Sequence, residues 1–254
     1  SPTDESVTGL HVMTPPLMDT IRQHLPYTIQ EDNFWLKYSL AQDGASIISL
    51  LSNVRSSSHT ILAIETTDGE VFGSFTSSPW RQMGSTYYGS CESFLWRMAK
   101  TRRTSCKTIV DRAELESDIE IFKWTGENRN IQMSNTKMLA VGGGEPDKVI
   151  EQRLLSGGAQ SSTEKNIWAD FGLALNSDFS SGSSGRCVTF GSSSGLSRNG
   201  TTFDVQNLEI WTLTPMSDIE QAEKLELGRQ FVFNSIVTNA KVKPRQKTQV
   251  ARSA

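Results

Sequence analysis

Four carboxylates lie in or beside segments that alternate between apolar and small residues. Glu92 precedes an aromatic run, Glu209 lies inside a long apolar segment, and Asp170 and Asp178 flank residues 171–175. Carboxylates that meet at one end of a sheet can share a proton or bind a cation, so Glu92, Asp170 and Glu209 are candidate catalytic residues. Carboxylates also accept hydrogen bonds from loop amides that lack a ladder partner. The pattern favours this bracing role and leaves the catalytic one open.

Other catalytic arrangements are incomplete in this sequence. A Ser-His-Asp triad requires a core histidine, but the three histidines are His11, His24 and His59, all in the first quarter of the chain. No GxSxG motif occurs. The run Gly142-Gly143-Gly144 lacks the Lys-Ser/Thr that completes a phosphate-binding loop, so a backbone turn is the favoured interpretation. HExxH and CxxC are absent, so we predict no zinc site, no other metal and no cofactor.

Cys187 is the candidate for redox chemistry. The neighbouring Arg186 would favour its thiolate if the sulfur were exposed. Alternation with Val188 instead directs the side chain into the core, where thiols are inert. Direct peroxide chemistry would also need a resolving thiol or a peroxidatic motif, and the sequence shows neither. The core position is favoured, and a redox sensor acting through Cys187 stays an alternative.

Composition predicts a folded, soluble protein. The chain has 254 residues, of which 36% are apolar and 21% charged, within the range of globular domains. A net charge of −3 indicates no nucleic-acid partner. No run approaches the ~20 apolar residues of a membrane helix, and no secretory signal opens the sequence. Three cysteines, an odd number, argue for a reducing compartment. We therefore expect a cytoplasmic protein, free or at a membrane-bound complex, while other reducing compartments fit the same cysteine content.

Short alternating segments separated by turn signals predict a mostly β fold (α+β) with few helices. Asp68-Gly69 predicts a hairpin turn, and an alternation that slips near Asn207 predicts a bulge. The glycine- and serine-rich residues 178–185 bury too little apolar surface for an element, so we expect a surface loop. Helices are expected at 14–25, at 46–54 and after a Ser217-x-x-Glu220 capping box, with Ile219, Ala222 and Leu225 or Leu227 inward. Strands are predicted at 34–39, 60–66, 70–76, 119–128, 130–134, 137–141, 171–175 and 203–211.

Two long sequence motifs resemble those of one known family, the TLDc domain. One is Tyr88-Gly89-Ser90-Cys91-Glu92-Ser93-Phe94-Leu95. The other begins at Gly172 and supplies, in order, Leu173, Leu175, Asp178, Gly182, Ser184, Cys187, Thr189, Phe190, Gly191, Phe203, Leu208, Glu209 and Trp211.

The resemblance implies a two-sheet antiparallel β-sandwich with a few flanking helices. It places a TLDc-like domain at 12–214, with an insertion at about 145–168, after a disordered segment at 1–11. A C-terminal helix and a basic tail follow at 215–254.

The resemblance also implies a function. Members protect cells from oxidative stress, and some regulate the vacuolar-type proton-pumping ATPase. We therefore expect a non-enzymatic protein-binding module whose partners are protein, including subunits of that ATPase. The alternatives are an enzyme of unknown reaction that uses the clustered carboxylates, or the Cys187 sensor. Residues expected to bind the partner or brace loops are Glu92, Gly142, Gly143, Gly144, Asp178, Gly182, Gly185 and Glu209.

Overall fold

A computed structural model describes residues 11–143 and 171–229, and antiparallel β-structure dominates them. Ten strands form one sheet in the order β5-β4-β3-β2-β10-β9-β8-β7-β6, and β1 pairs with β10 beside this path. The mostly β class predicted from the sequence is confirmed. The strands are β1 (Asn33–Ser39), β2 (Thr60–Thr66), β3 (Val71–Thr76), β4 (Phe94–Met98), β5 (Ile119–Lys123), β6 (Gln132–Ser134), β7 (Met138–Val141), β8 (Leu173–Asn176), β9 (Ser181–Ser183) and β10 (Thr202–Thr214).

The long strand β10 joins two halves of the sheet. Its first residues, 202–204, pair with β9, whereas residues 205–212 pair with β2. The register shifts between Val205 and Asn207, which confirms the predicted bulge. Because a bulge bends a strand and increases its twist, the two halves can diverge at this point.

The two halves contribute to a common core. Leu62 of β2 and Phe72 of β3 belong to the same buried cluster as Leu139 of β7 and Leu175 of β8. Side chains from two packed sheets share a core in this manner in β-sandwiches. The face-to-face sandwich itself stays a prediction, which this common cluster supports.

Helices cover the other face of the β2–β4 half. Leu17 and Ile21 of the first helix lie in a second cluster with Phe75, Trp96 and Leu115. The β2–β4 half is therefore buried on both faces. The helices are α1 (Pro15–Arg22), α2 (Leu40–Asp43), α3 (Ile47–Val54), α4 (Ile109–Ser117) and α5 (219–229), with a 3₁₀ turn at Tyr27–Ile29.

Local signals placed α3 and the first hairpin correctly. The Ser46 side chain accepts a hydrogen bond from the Ser49 backbone N–H at 3.3 Å and so caps α3. The predicted apolar stripe of α3 is buried. Gly69 takes a φ of +78° between β2 and β3, the left-handed conformation that such a turn needs. Helix α4, by contrast, was not predicted, because Ile109 and Val110 at its start are exposed and its pattern is weakly amphipathic.

The prediction of a surface loop over 178–185 was wrong at its centre. Ser181–Ser183 forms β9, which lies between β8 and β10. An alanine Cβ at Gly182 would come 2.5 Å from the Ala174 carbonyl oxygen and 2.5 Å from the Phe203 ring. Only glycine therefore permits this close approach. Backbone pairing stabilises β9, which explains why its side chains gave no strand signal.

Helix α5 begins one residue later than the predicted capping box implies. The Asp218 carboxylate, not Ser217, accepts hydrogen bonds from the backbone N–H groups of Glu220 at 2.7 Å and Gln221 at 3.4 Å. Aspartate is as effective an N-cap as serine. The helix therefore begins with a capping side chain, as predicted, but the capping residue is Asp218 and not Ser217.

One side of α5 contacts the sheet. Ala222 is buried, as predicted, and so is Glu226, which accepts a hydrogen bond from Thr212 of β10 at 2.6 Å and pairs with Lys37 of β1 at 2.9 Å. Ile219 is exposed, so the expectation that it faces inward was wrong. Of the two leucines considered for the inner side, Leu225 is half-buried and Leu227 is exposed.

Several predicted segments lie outside the described residues: the N-terminal segment up to residue 10, the insertion at 145–168 and the basic tail. Within 11–143 and 171–229, no helix combines the length and the apolar character of a membrane span.

Candidate functional site

Glu209 is fully buried and holds the N-terminal segment against β10. Its carboxylate accepts hydrogen bonds from His11 Nδ1 at 2.9 Å, from the Met13 backbone N–H at 3.1 Å and from Trp211 Nε1 at 2.9 Å. A buried carboxylate needs hydrogen-bond donors, and these three groups supply them. The geometry thus fits the bracing role considered for Glu209, and it leaves both oxygens occupied.

Asp178 shapes the turn between β8 and β9. Its Oδ1 accepts hydrogen bonds from the backbone N–H of Ser180 at 3.0 Å and from the Ser180 hydroxyl at 2.8 Å. The backbone hydrogen bond from Ser180, followed by the hydroxyl bond, lowers the pKa of the Asp178 carboxyl. This carboxylate is exposed and braces its own turn.

The candidate carboxylates do not meet. Glu92 is exposed just before β4, and its backbone N–H donates to Ser90 Oγ at 3.4 Å. Strands β2 and β3 separate β4 from β10, so the strand that Glu92 precedes lies roughly 14 Å from the strand that carries Glu209. Asp170 lies outside the described residues. Within 11–143 and 171–229, no three His, Cys, Asp or Glu side chains group as a metal site requires.

A buried polar network closes the glycine turn after β7. The Thr189 hydroxyl accepts a hydrogen bond from the Gly143 N–H at 3.0 Å and donates to Asn128 Oδ1 at 2.8 Å. Asn128 Nδ2 completes the ring by donating to the Gly143 carbonyl at 3.2 Å. Gly142 and Gly143 are buried, so their role at this position is structural. Gly144 lies outside the described residues.

Cys187 lies in the core beside two glycines. It is 1% exposed, and burial raises the pKa of its thiol. An added Cβ at Gly142 or Gly172 would come within 2.5 or 2.9 Å of its sulfur. Gly185, also buried, donates its backbone N–H to the Phe171 carbonyl at 2.9 Å. The position favours the core role of Cys187 over the sensor.

We expect the native protein to react with a thiol reagent in the order Cys91, Cys106, Cys187. Cys91 is exposed, Cys106 is partly exposed and Cys187 is buried, and only exposed thiolates are good nucleophiles. Mass spectrometry of peptides after timed labelling measures the order, and labelling in urea is the control. Native labelling of Cys187 ahead of Cys91 would restore the sensor hypothesis.

An arginine beside α4 joins three parts of the fold, and the sequence analysis did not identify it. Arg102 pairs with Glu65 at 2.8 Å and with Glu116 at 3.2 Å, and it donates to the Val12 carbonyl at 2.6 Å. It thereby joins α4, β2 and the N-terminal segment. A Thr108-x-x-Asp111 capping box precedes the helix, and this local signal could have located α4 and with it Glu116.

We expect His59 to make folding stability depend on pH. Burial, and then the Arg229 charge, lower its pKa below the ordinary 6.5, so the unfolded chain binds more protons than the folded one below about pH 6.5. Stability should therefore be intact above that pH and fall as the pH decreases, by at most about 1.4 kcal/mol per pH unit for one proton. Urea unfolding of the wild type and of His59→Gln at several pH values tests this. An equally steep loss in both proteins would exclude His59 as the cause.

The described domain is antiparallel and mostly β, and its buried polar side chains hold loops and an N-terminal segment in place. The sequence model of the TLDc domain matches residues 8–214. The chain therefore belongs to the TLDc domain family.

The similar proteins include some named Oxidation resistance protein 1 and some named Nuclear receptor coactivator 7. Oxidation resistance protein 1 of Yarrowia lipolytica is 26% identical over 211 residues, which cover 80% of this chain and 74% of the relative. The protein of the same name from Xenopus laevis is 30% identical over 195 residues, 76% of this chain and 18% of its own length. Nuclear receptor coactivator 7 of Mus musculus is 28% identical over 196 residues, 77% of this chain and 16% of the relative. The matched region is most of the first relative and less than a fifth of the other two.

Proposed function

We propose that this chain is a non-enzymatic protein-binding module that contributes to protection from oxidative stress. The observation that carries the proposal is the TLDc match over residues 8–214, together with relatives named Oxidation resistance protein 1.

The geometry of the residues that match the TLDc pattern supports a binding function rather than a catalytic one. Glu209 and Thr189 direct their polar atoms at the chain's own backbone and side chains, and Cys187 is enclosed. Groups that are buried and satisfied stabilise the fold and are not accessible to a substrate. The outer surface is then what remains for recognition of a partner.

We propose the vacuolar-type proton-pumping ATPase as the partner, with the module in the cytoplasm at the surface of that complex. Helix α5 exposes Ile219 and Leu227 while its other side contacts the sheet. Exposed apolar side chains on a fixed helix suit a protein contact. We propose α5 as one contact with that partner, since a second contact elsewhere on the domain would then raise the affinity without new chemistry.

A survival assay tests the stress-protection role. The chain is expressed in a yeast strain that lacks its own oxidation resistance protein, and the cells are challenged with hydrogen peroxide. We expect improved survival with the wild type and with Cys187→Ala, since the thiol takes no part. Immunoblots control for the protein level. No improvement at normal expression would refute the role, and loss in Cys187→Ala alone would favour the sensor.

A further inference from the structure

The loop from β4 to α4 and the first turn of α4 form a positively charged cleft of about 690 Å³, here called the α4 cleft. Among the residues that the structure describes, its lining holds no carboxylate and four cationic side chains, namely Arg102, Arg103, Lys107 and Arg112. Asp111 and Glu114, which are exposed on α4, lie outside this lining. A concave site lined by one sign of charge raises the local concentration of the opposite charge.

Three of these four cations are available to an anion. Arg102 is not, because it already pairs with two carboxylates. Arg103 and Arg112 are exposed, and each donates one N–H to a backbone carbonyl, that of Thr67 and that of Arg102 respectively. A carbonyl carries no net charge, so the charge of both guanidinium groups and their other N–H donors remain. The exposed Lys107 ammonium forms no hydrogen bond or ion pair with residues 11–143 and 171–229.

Backbone hydrogen bonds hold the α4 cleft in shape. Asp111 Oδ2 accepts the backbone N–H groups of Lys107 at 3.0 Å and Thr108 at 3.1 Å, so this carboxylate faces the loop backbone. The Arg102 backbone N–H donates to the Gly69 carbonyl at 2.7 Å, which fixes the loop to the turn between β2 and β3. A preformed site loses less conformational entropy on binding.

Two apolar side chains extend into solvent beside these cations. Ile109, which also lines the α4 cleft, is 89% exposed, and Val110 is 64% exposed. Both belong to the first turn of α4. Apolar side chains next to lysine and arginine are typical of helices that lie at the boundary between the headgroups and the acyl chains of a membrane.

The composition of this surface favours a lipid over a protein or a nucleic acid. Residues 99–112 include no aromatic side chain, whereas protein interfaces are enriched in aromatic residues and depleted in lysine. A nucleic acid would contact the cations and leave Ile109 and Val110 in water. An anionic phospholipid surface provides acceptors for the cations and an apolar layer for the two aliphatic side chains.

We propose that the α4 cleft, together with Ile109 and Val110, binds the surface of an anionic membrane. Arg103, Lys107 and Arg112 contact the anionic headgroups, since guanidinium groups match phosphate and carboxylate oxygens in geometry. The two aliphatic side chains enter the layer below the headgroups. This contact goes beyond the proposed protein-binding function and does not depend on it.

Flotation with lipid vesicles tests the membrane contact on the chain of 254 residues. Vesicles of equal parts phosphatidylserine and phosphatidylcholine are compared with vesicles of phosphatidylcholine alone. We expect the protein to float with the anionic vesicles, less so at high salt, and not with the neutral ones. Lys107→Glu should lower the partition coefficient at least about fivefold. The double variant Ile109→Ser, Val110→Ser should lower it at least about tenfold.

The chain offers a matched control for each variant. Lys137→Glu reverses the charge of another exposed lysine, and Ile48→Ser removes an isoleucine that is 65% exposed. Neither residue lines the α4 cleft, so both control variants should float as the wild type does. Circular dichroism confirms that each variant is folded, as expected for substitutions at exposed positions.

Several results would overturn the inference. If the wild type binds neither kind of vesicle, the membrane contact does not exist. Unchanged flotation of both α4 variants would assign the binding to another part of the chain, such as the basic residues between 241 and 252. An equal loss in Lys137→Glu would show that net charge alone is responsible. A loss in only one of the two α4 variants also contradicts the proposal, because it requires both the charge and the apolar pair.

Discussion

Replacing Gly142 with alanine is expected to destabilise the domain by roughly 2–6 kcal/mol. Gly142 has a φ of +72°, and a side chain in this conformation costs about 1–3 kcal/mol. The new Cβ would also lie 2.5 Å from Cys187 Sγ and 2.9 Å from the Phe190 ring. Overpacking in a dense core costs about 1–3 kcal/mol more.

The chain provides a matched control for Gly142→Ala. Gly84 has a similar φ of +67° but no atom within 4 Å of an added Cβ. Gly84→Ala should therefore show the backbone cost without the clash. Adding Cys187→Ala to Gly142→Ala should recover part of the loss, because the sulfur is one source of the clash. Urea unfolding measures all four proteins, and a Gly142→Ala variant as stable as Gly84→Ala would contradict the close packing around Gly142.

Replacing Glu209 with leucine is expected to release the N-terminal segment from the sheet. The Met13 N–H and the Trp211 indole N–H would lose their acceptor, at about 1–3 kcal/mol for each buried donor left unpaired. Hydrogen exchange should become faster at Met13 and along α1, and the unfolding midpoint should fall.

Glu92→Gln is the matched control for the Glu209 variant. Glu92 is exposed, and changes at exposed sites are usually within about 0.5 kcal/mol. A large loss of stability in Glu92→Gln would show that Glu92 also braces the fold. Unchanged hydrogen exchange at Met13 in Glu209→Leu would contradict the role of Glu209 in holding the N-terminal segment.

The sequence predicted those elements that local patterns determine. Asp68-Gly69 located the first hairpin, and the stripe of α3 gave both its bounds and its buried face. The slip near Asn207 marked the bulge that lets β10 pair with two different neighbours. These features depend on residues a few positions apart.

Features that depend on distant residues were not predictable in the same way. Glu209 binds His11 and Met13, which lie 198 and 196 residues earlier in the chain, and no local pattern links them. Strand β9 exists because β8 and β10 offer it hydrogen-bond partners.

The central claim, that this chain works by binding a protein partner, is tested most directly with the purified vacuolar-type proton-pumping ATPase. Interferometry measures binding of the immobilised chain to the pump, and a peroxide assay on the same sample measures turnover. The account predicts saturable binding, at least about tenfold weaker for a chain that lacks residues 215–254 and still folds, with no consumption of peroxide. Peroxide turnover by a folded chain that does not bind the pump would contradict it.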